Sequence, residues 1–226
     1  MKFKARLLTV GTAPEPRGAV LVLHGGASRR ETMEVSPAQL SVLRMIPIAR
    51  RIAREGRGEL AVFRLLNSRR GWETGHTPVH DVRWALEQLP RILGRTLPIC
   101  LVGHSLGGRA ALLAAGEPSV ASAVALAPWV LPSDDPPEVE GKPLLIIHGS
   151  DDRVGSPTRA AALAARLRQK TEVSFVLVAG ARHAMLRHHG EFSRRAAEFA
   201  IATLLRNRAG ASPPITQPSS ARSAAA

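Results

Sequence analysis

Leu97-Pro98-Ile99-Cys100-Leu101-Val102-Gly103-His104-Ser105-Leu106-Gly107-Gly108-Arg109-Ala110 is the stretch that decides how the chain reads. An apolar run from Leu97 to Val102 stops at Gly103, and a small-residue helical run begins at Ser105. This is the pattern Gly-x-Ser-x-Gly, an elbow in which a serine sits on a tight turn from strand to helix. Glycines at 103 and 107 let the backbone double back, while the serine takes strained dihedrals. Free N–H groups and the dipole at the helix start favour negative charge beside the hydroxyl. Such a hydroxyl is suited to attack a carbonyl, because the oxyanion meets donors already aimed at it. The bland reading of Ser105 is a helix cap, so the context must decide.

Outward from the elbow, strands and helices alternate. Lys4–Val10 and Ala19–Leu23 read as strands, the second a continuous apolar run of the kind covered on both faces in a parallel sheet. A helix is expected over Ser36–Arg54, kinked or broken by Pro47. Glu59–Leu66 reads as a strand. Val79–Leu93 is a helix with an apolar stripe at Val82, Leu86, Leu89 and Leu93; Trp84 is placed in its core face. After the elbow helix, Ser105–Gly116, come strand Ser119–Ala127, a proline-rich acidic loop to Gly141 and strand Pro143–His148. Helix Pro157–Gln169, strand Thr171–Val178 and helix Gly190–Arg206 complete the order. Strands alternating with helices specify an α/β fold, doubly wound around a mostly parallel sheet with right-handed crossovers. One domain is expected over residues 1–206, with a disordered Ala/Ser/Pro-rich tail at 207–226.

Composition bounds the rest. The 226 residues are 45% hydrophobic and 22% charged, as in ordinary globular proteins. No apolar stretch approaches a membrane span, no signal peptide is expected, and no membrane partner is expected. The single cysteine, Cys100, reads as a buried small hydrophobe, consistent with a reducing, cytoplasmic setting. Net charge is +13, and all basic residues except Lys2, Lys4, Lys142 and Lys170 are arginine. That balance raises nucleic-acid binding. The arginines come as scattered pairs without a basic arm, however, and aromatics are 4%, so no specific nucleic-acid partner is expected.

Ligands of open parallel sheets bind beyond the carboxyl ends of the strands, and the reactive residues gather there. Ser105 follows one strand. Asp151 and Asp152 follow another, in His148-Gly149-Ser150-Asp151-Asp152-Arg153-Val154. His183 follows a third, in Gly180-Ala181-Arg182-His183, and His24-Gly25-Gly26 closes an earlier one. The chain order is Ser…Asp…His.

These four segments, over nearly all of residues 1–206, resemble the α/β-hydrolase family, in particular lidless esterases and dienelactone-hydrolase-like members. The resemblance implies a serine hydrolase cleaving carboxylic esters or thioesters through an acyl-enzyme. Ser105 would be the nucleophile, His183 the base and Asp152, rather than Asp151, the acid. The N–H groups of Leu106 and Gly26 (or its neighbours Gly25 and Ala27) would form the oxyanion hole. Some members take their acid from the position of Asp134 or Asp135. The short 127–143 connection leaves no room for a large lid, so Trp129, Leu131 and Met185, with Trp72, are candidate walls of an open pocket for a small-molecule acyl ester or thioester. Arg153, Arg182 and Arg69-Arg70 are candidates to favour anionic substrates. No cofactor is expected, and no metal, since His188 and His189 lack a carboxylate at ligand spacing. His104 is expected to pack rather than react; His76, His80 and Asp81 are expected to open and cap a helix. The rival reading is a non-catalytic binding or scaffold protein on the same fold.

Overall fold

A computed structural model describes residues 4–26, 33–72, 76–136 and 138–206. The expected tail, 207–226, and Ala27 lie outside them. Seven strands form one sheet: β1 (Arg6–Gly11), β2 (Gly18–Leu23), β3 (Leu60–Leu66), β4 (Ile99–His104), β5 (Val120–Leu126), β6 (Leu144–Gly149) and β7 (Val173–Val178). Their spatial order is β1-β3-β2-β4-β5-β6-β7. β1 runs antiparallel to β3 and every other pairing is parallel.

Helices α1 (Leu40–Leu43), α2 (Met45–Glu55), α3 (Thr77–Leu93), α4 (Leu106–Leu113), α5 (Pro157–Leu167) and α6 (His189–Ile201) cover both faces. The two faces divide β2 residue by residue. Ala19, Leu21 and Leu23 join a core with α3, α4 and α5, whereas Val20 and Val22 join a second core with α2 and α6. Fully buried strands need apolar residues at every position, which accounts for the unbroken run Ala19–Leu23. The fold is therefore the doubly wound, mostly parallel α/β architecture that the alternation of elements specifies.

Three local expectations are corrected. The helix expected over 36–54 is two helices, and the break falls at Arg44 rather than Pro47. Pro47 is the third residue of α2, where the missing N–H needs no intrahelical acceptor. Trp84 is not core: it is 36% exposed, while Val82, Ala85, Leu86 and Leu89 supply the buried stripe of α3. His80 and Asp81 lie inside α3 rather than before it, and His76, at the N-cap, makes no side-chain capping bond; Asp81 is buried, and its carboxylate accepts the backbone N–H and the hydroxyl of Ser68. At α5 local chemistry and structure agree. Pro157 opens α5, and Ser156 Oγ caps it by accepting the Arg159 N–H at 3.2 Å.

Candidate active site

The elbow is built by steric exclusion. Ser105 has φ 57° and ψ −119°, a conformation that costs a non-glycine residue on the order of 1–3 kcal/mol. Three backbone bonds hold it there. Ser105 N–H donates to Leu126 O at 3.0 Å, and Ser105 O accepts the N–H groups of Arg109 (3.0 Å) and Trp129 (3.1 Å). A Cβ at Gly103 would collide with the Gly107 carbonyl, and one at Gly107 with the carbonyls of Leu23 and His24. Both glycines are thus required by close approach, while the strained dihedrals fall on the serine itself.

The sheet edge brings the three remote side chains together. Ser105 Oγ lies 2.9 Å from His183 Nε2, and His183 Nδ1 lies 2.8 Å from Asp152 Oδ2. The loops carrying Asp152 and His183 are tied by Asp151 N–H to Ala181 O (3.0 Å) and Gly180 N–H to Ser150 Oγ (2.8 Å). Asp152 is buried. Burial works against its charge, but His148, His183 and the Val154 N–H oppose that effect and hold the carboxyl well below the usual carboxylate range. Its Oδ1 accepts the N–H groups of Val154 and Gly155, each at 2.8 Å. A carboxylate fixed in this way orients the imidazole and favours its protonated form during proton transfer. Asp151 is exposed and bonds Ser150 instead. Asp134 is committed elsewhere, to Arg109, and Asp135 is exposed and pairs with Lys170 at 2.8 Å.

Leu106 is the first residue of α4, so its N–H has no acceptor within the helix. Gly25 and Gly26 pass close by. A Cβ at Gly25 would lie 3.2 Å from Ser105 Cβ, and one at Gly26 would lie 3.3 Å from Leu106 Cδ1 and run into the Arg70 carbonyl.

Two further histidines, whose roles only the tertiary structure shows, fix these loops. His24 Nε2 accepts the Asn67 N–H at 3.2 Å, so Nδ1 carries the proton and donates to Gly25 O at 2.6 Å. His104 Nε2 donates to the His183 carbonyl at 2.9 Å, which ties the loop carrying His183 to the end of β4. Burial pushes the His24 imidazole down to about 4 and that of His104 to about 3. Both are therefore neutral in the fold, whereas both protonate near 6.5 once unfolded. Below pH 6.5 the unfolded chain binds protons that the native one refuses, so stability falls as pH drops from about 6.5 toward 4. The slope should approach about 1.4 kcal/mol per pH unit for each ring. Urea midpoints at pH 7, 5.5 and 4.5 check this, and His24→Asn should flatten the dependence.

Of the expected pocket walls, Trp129 follows Ser105 across the elbow bond and is half-buried. Leu131 lines a cleft of ≈ 480 Å³ with Val79, Arg109 and Asp134. Met185 does not line a pocket. It is fully buried with Val178, Ala181 and Phe192 in the core beneath α6, because the turn after His183 folds it inward at φ 57°. Arg109 was legible only as an elbow residue. In the structure its guanidinium is buried, stacks 4.2 Å over the Trp72 ring and grips Asp134 through Nε (2.8 Å) and Nη2 (2.7 Å).

A strained serine on a strand-to-helix turn, bonded to a histidine that is bonded to a carboxylate, defines a class of nucleophilic sites. The chain belongs to the α/β hydrolase family, whose model matches residues 20–141. Among solved structures, it is similar to an α/β serine hydrolase homologue from Coxiella burnetii (18% identity, TM-score 0.64, covering 86% of this chain and 90% of that one). Est1E from Butyrivibrio proteoclasticus is similar at 17% identity and TM-score 0.63, with 88% and 93% covered. A lidless serine hydrolase from Xanthomonas campestris shares 18% identity at TM-score 0.62, with 94% and 99% covered. No curated protein matches the sequence. No described helix is long and apolar enough to cross a membrane.

Proposed function

We propose that this chain is a serine hydrolase that cleaves carboxylic esters or thioesters through an acyl-enzyme on Ser105. The observation that carries the reading is the continuous relay Ser105 Oγ–His183–Asp152, with contacts of 2.9 and 2.8 Å. His183 Nε2 takes the hydroxyl proton as Ser105 Oγ attacks the carbonyl carbon. The N–H groups of Leu106 and Gly26 hold the oxyanion of the tetrahedral intermediate; losing one such donor costs about 3–4 kcal/mol of barrier. His183 then returns the proton to the departing alcohol or thiol. Water, activated by the same ring, attacks the acyl-enzyme and releases the acid. Trp129 and Leu131 form the apolar wall against which the substrate lies, and residues 1–206 act as one domain.

A panel of p-nitrophenyl esters of increasing chain length, an acyl thioester and a succinyl ester tests the assignment. Saturable turnover of at least the short neutral esters is expected. At low salt the exposed Arg153 and Arg182 favour the anionic acyl group, so equal turnover of neutral and anionic esters removes that preference. Failure to turn over any member argues for the binding-protein alternative.

A further inference from the structure

Asp152 carries two imidazoles on one oxygen. His148, at the carboxyl end of β6 and fully buried, places Nε2 3.0 Å from Asp152 Oδ2, the oxygen that also faces His183 Nδ1 at 2.8 Å. The approach is too far off line for a hydrogen bond, so the contact is one of charge and dipole, and neither nitrogen of His148 has a hydrogen-bond partner among the described residues. The tautomer follows from charge. A bare Nε2 would press its lone pair against the carboxylate, whereas an Nε2–H attracts it; Nδ1, lacking a donor partner, costs less as a bare acceptor than as an orphaned N–H. The contact is also closely packed. A Cβ at Gly155 would lie 3.2 Å from both Asp152 Oδ2 and His148 Nε2, so the absence of a side chain there leaves the ring and the carboxylate room to meet.

We propose that His148 is a positioning residue: its Nε2–H holds Oδ2 of Asp152 toward His183 and draws part of the carboxylate charge away from that ring, setting how strongly His183 binds a proton. The proposal rests on the reading of His183 as the base for Ser105. Its direction is fixed by electrostatics. With the donor removed, the charge on Oδ2 bears more fully on His183, and the imidazolium gains. The other titratable and charged groups around the pair come from separate elements. His104 on β4 has its ring centroid 5.0 Å from that of His183, and Arg44 at the α1–α2 junction adds its field at His104. Asp151, Arg153 and Arg182 stand exposed on the same two loops. None of these groups is removed by a substitution at His148.

The experiment compares full-length wild type, His148→Phe and His148→Gln. It reads the acidic limb of kcat/KM on an activated ester and the His183 ring titration by NMR. The Phe variant should raise both values by about half to one pH unit and lower the plateau kcat/KM roughly ten- to a hundredfold through looser alignment. The Gln variant, which keeps an amide donor, should return both toward wild type. An unmoved titration in the Phe variant, or a Gln variant as impaired as Phe, overturns the proposal. Should neither variant fold, the 15N shifts of the wild-type His148 ring decide the matter: Nε2 must carry a proton, and a bare Nε2 overturns it. The NMR readouts need no turnover, so a protein that shows this coupling yet hydrolyses nothing counts against the hydrolase reading alone.

Discussion

Ser105→Ala should lower kcat for ester hydrolysis by on the order of 10⁶, the scale at which a nucleophile acting within a relay is lost. His183→Ala should cost about as much, and the double variant no more than either, because the two side chains form one unit at 2.9 Å. Asp152→Asn should cost less, about 10⁴, since it keeps the geometry but favours the wrong tautomer of His183. Pre-steady-state rates with a p-nitrophenyl ester measure all three. The ordering is diagnostic: a nucleophile elsewhere would leave Ser105→Ala nearly wild type. Asp134, the alternative acid, would in that role give the large loss on Asp134→Asn instead.

Asp134 matters for another reason. Asp134→Ala should destabilise the fold by about 3–5 kcal/mol, because it strands the Arg109 guanidinium without its partner. Both residues are nearly inaccessible, at 3% and 4% exposure, and the pair is bidentate. Asp134 also accepts the Leu131 N–H at 2.8 Å, so the 131–134 turn loosens with it. Against a total stability of about 5–15 kcal/mol, that loss should lower the urea midpoint by a large fraction of its value. Arg109→Met combined with Asp134→Leu should recover much of it, since apolar side chains of similar volume remove the need to desolvate two charges. The acidic limb of kcat/KM should stay where it is in the double variant. A midpoint that does not move in Asp134→Ala would mean the buried pair contributes nothing.

Much of the architecture was legible because its determinants are local. Continuous apolar runs such as Ala19–Leu23 mark strands covered on both faces, and the residues that end them mark the sheet edge where ligands bind. The meeting of Ser105, Asp152 and His183 could be read from their places after three strand ends. What escaped depends on distance in three dimensions. His104 precedes the serine in the chain, yet its partner is a carbonyl at position 183. His24 bonds Asn67, and Arg109 turns away from the elbow to Asp134. The spacing of His148 and Asp152, four residues apart across a strand end, was the available signal for that contact. Met185 and Trp84 both depart from expectation, one turned inward by a positive-φ turn and the other left exposed on its helix.

Mass spectrometry of the native protein after treatment with a fluorophosphonate tests the central assignment most directly. The account predicts one adduct per chain, on the tryptic peptide spanning residues 96–109 at Ser105, absent from Ser105→Ala and from heat-unfolded protein. An unmodified native chain, or an adduct that persists in Ser105→Ala, would contradict it.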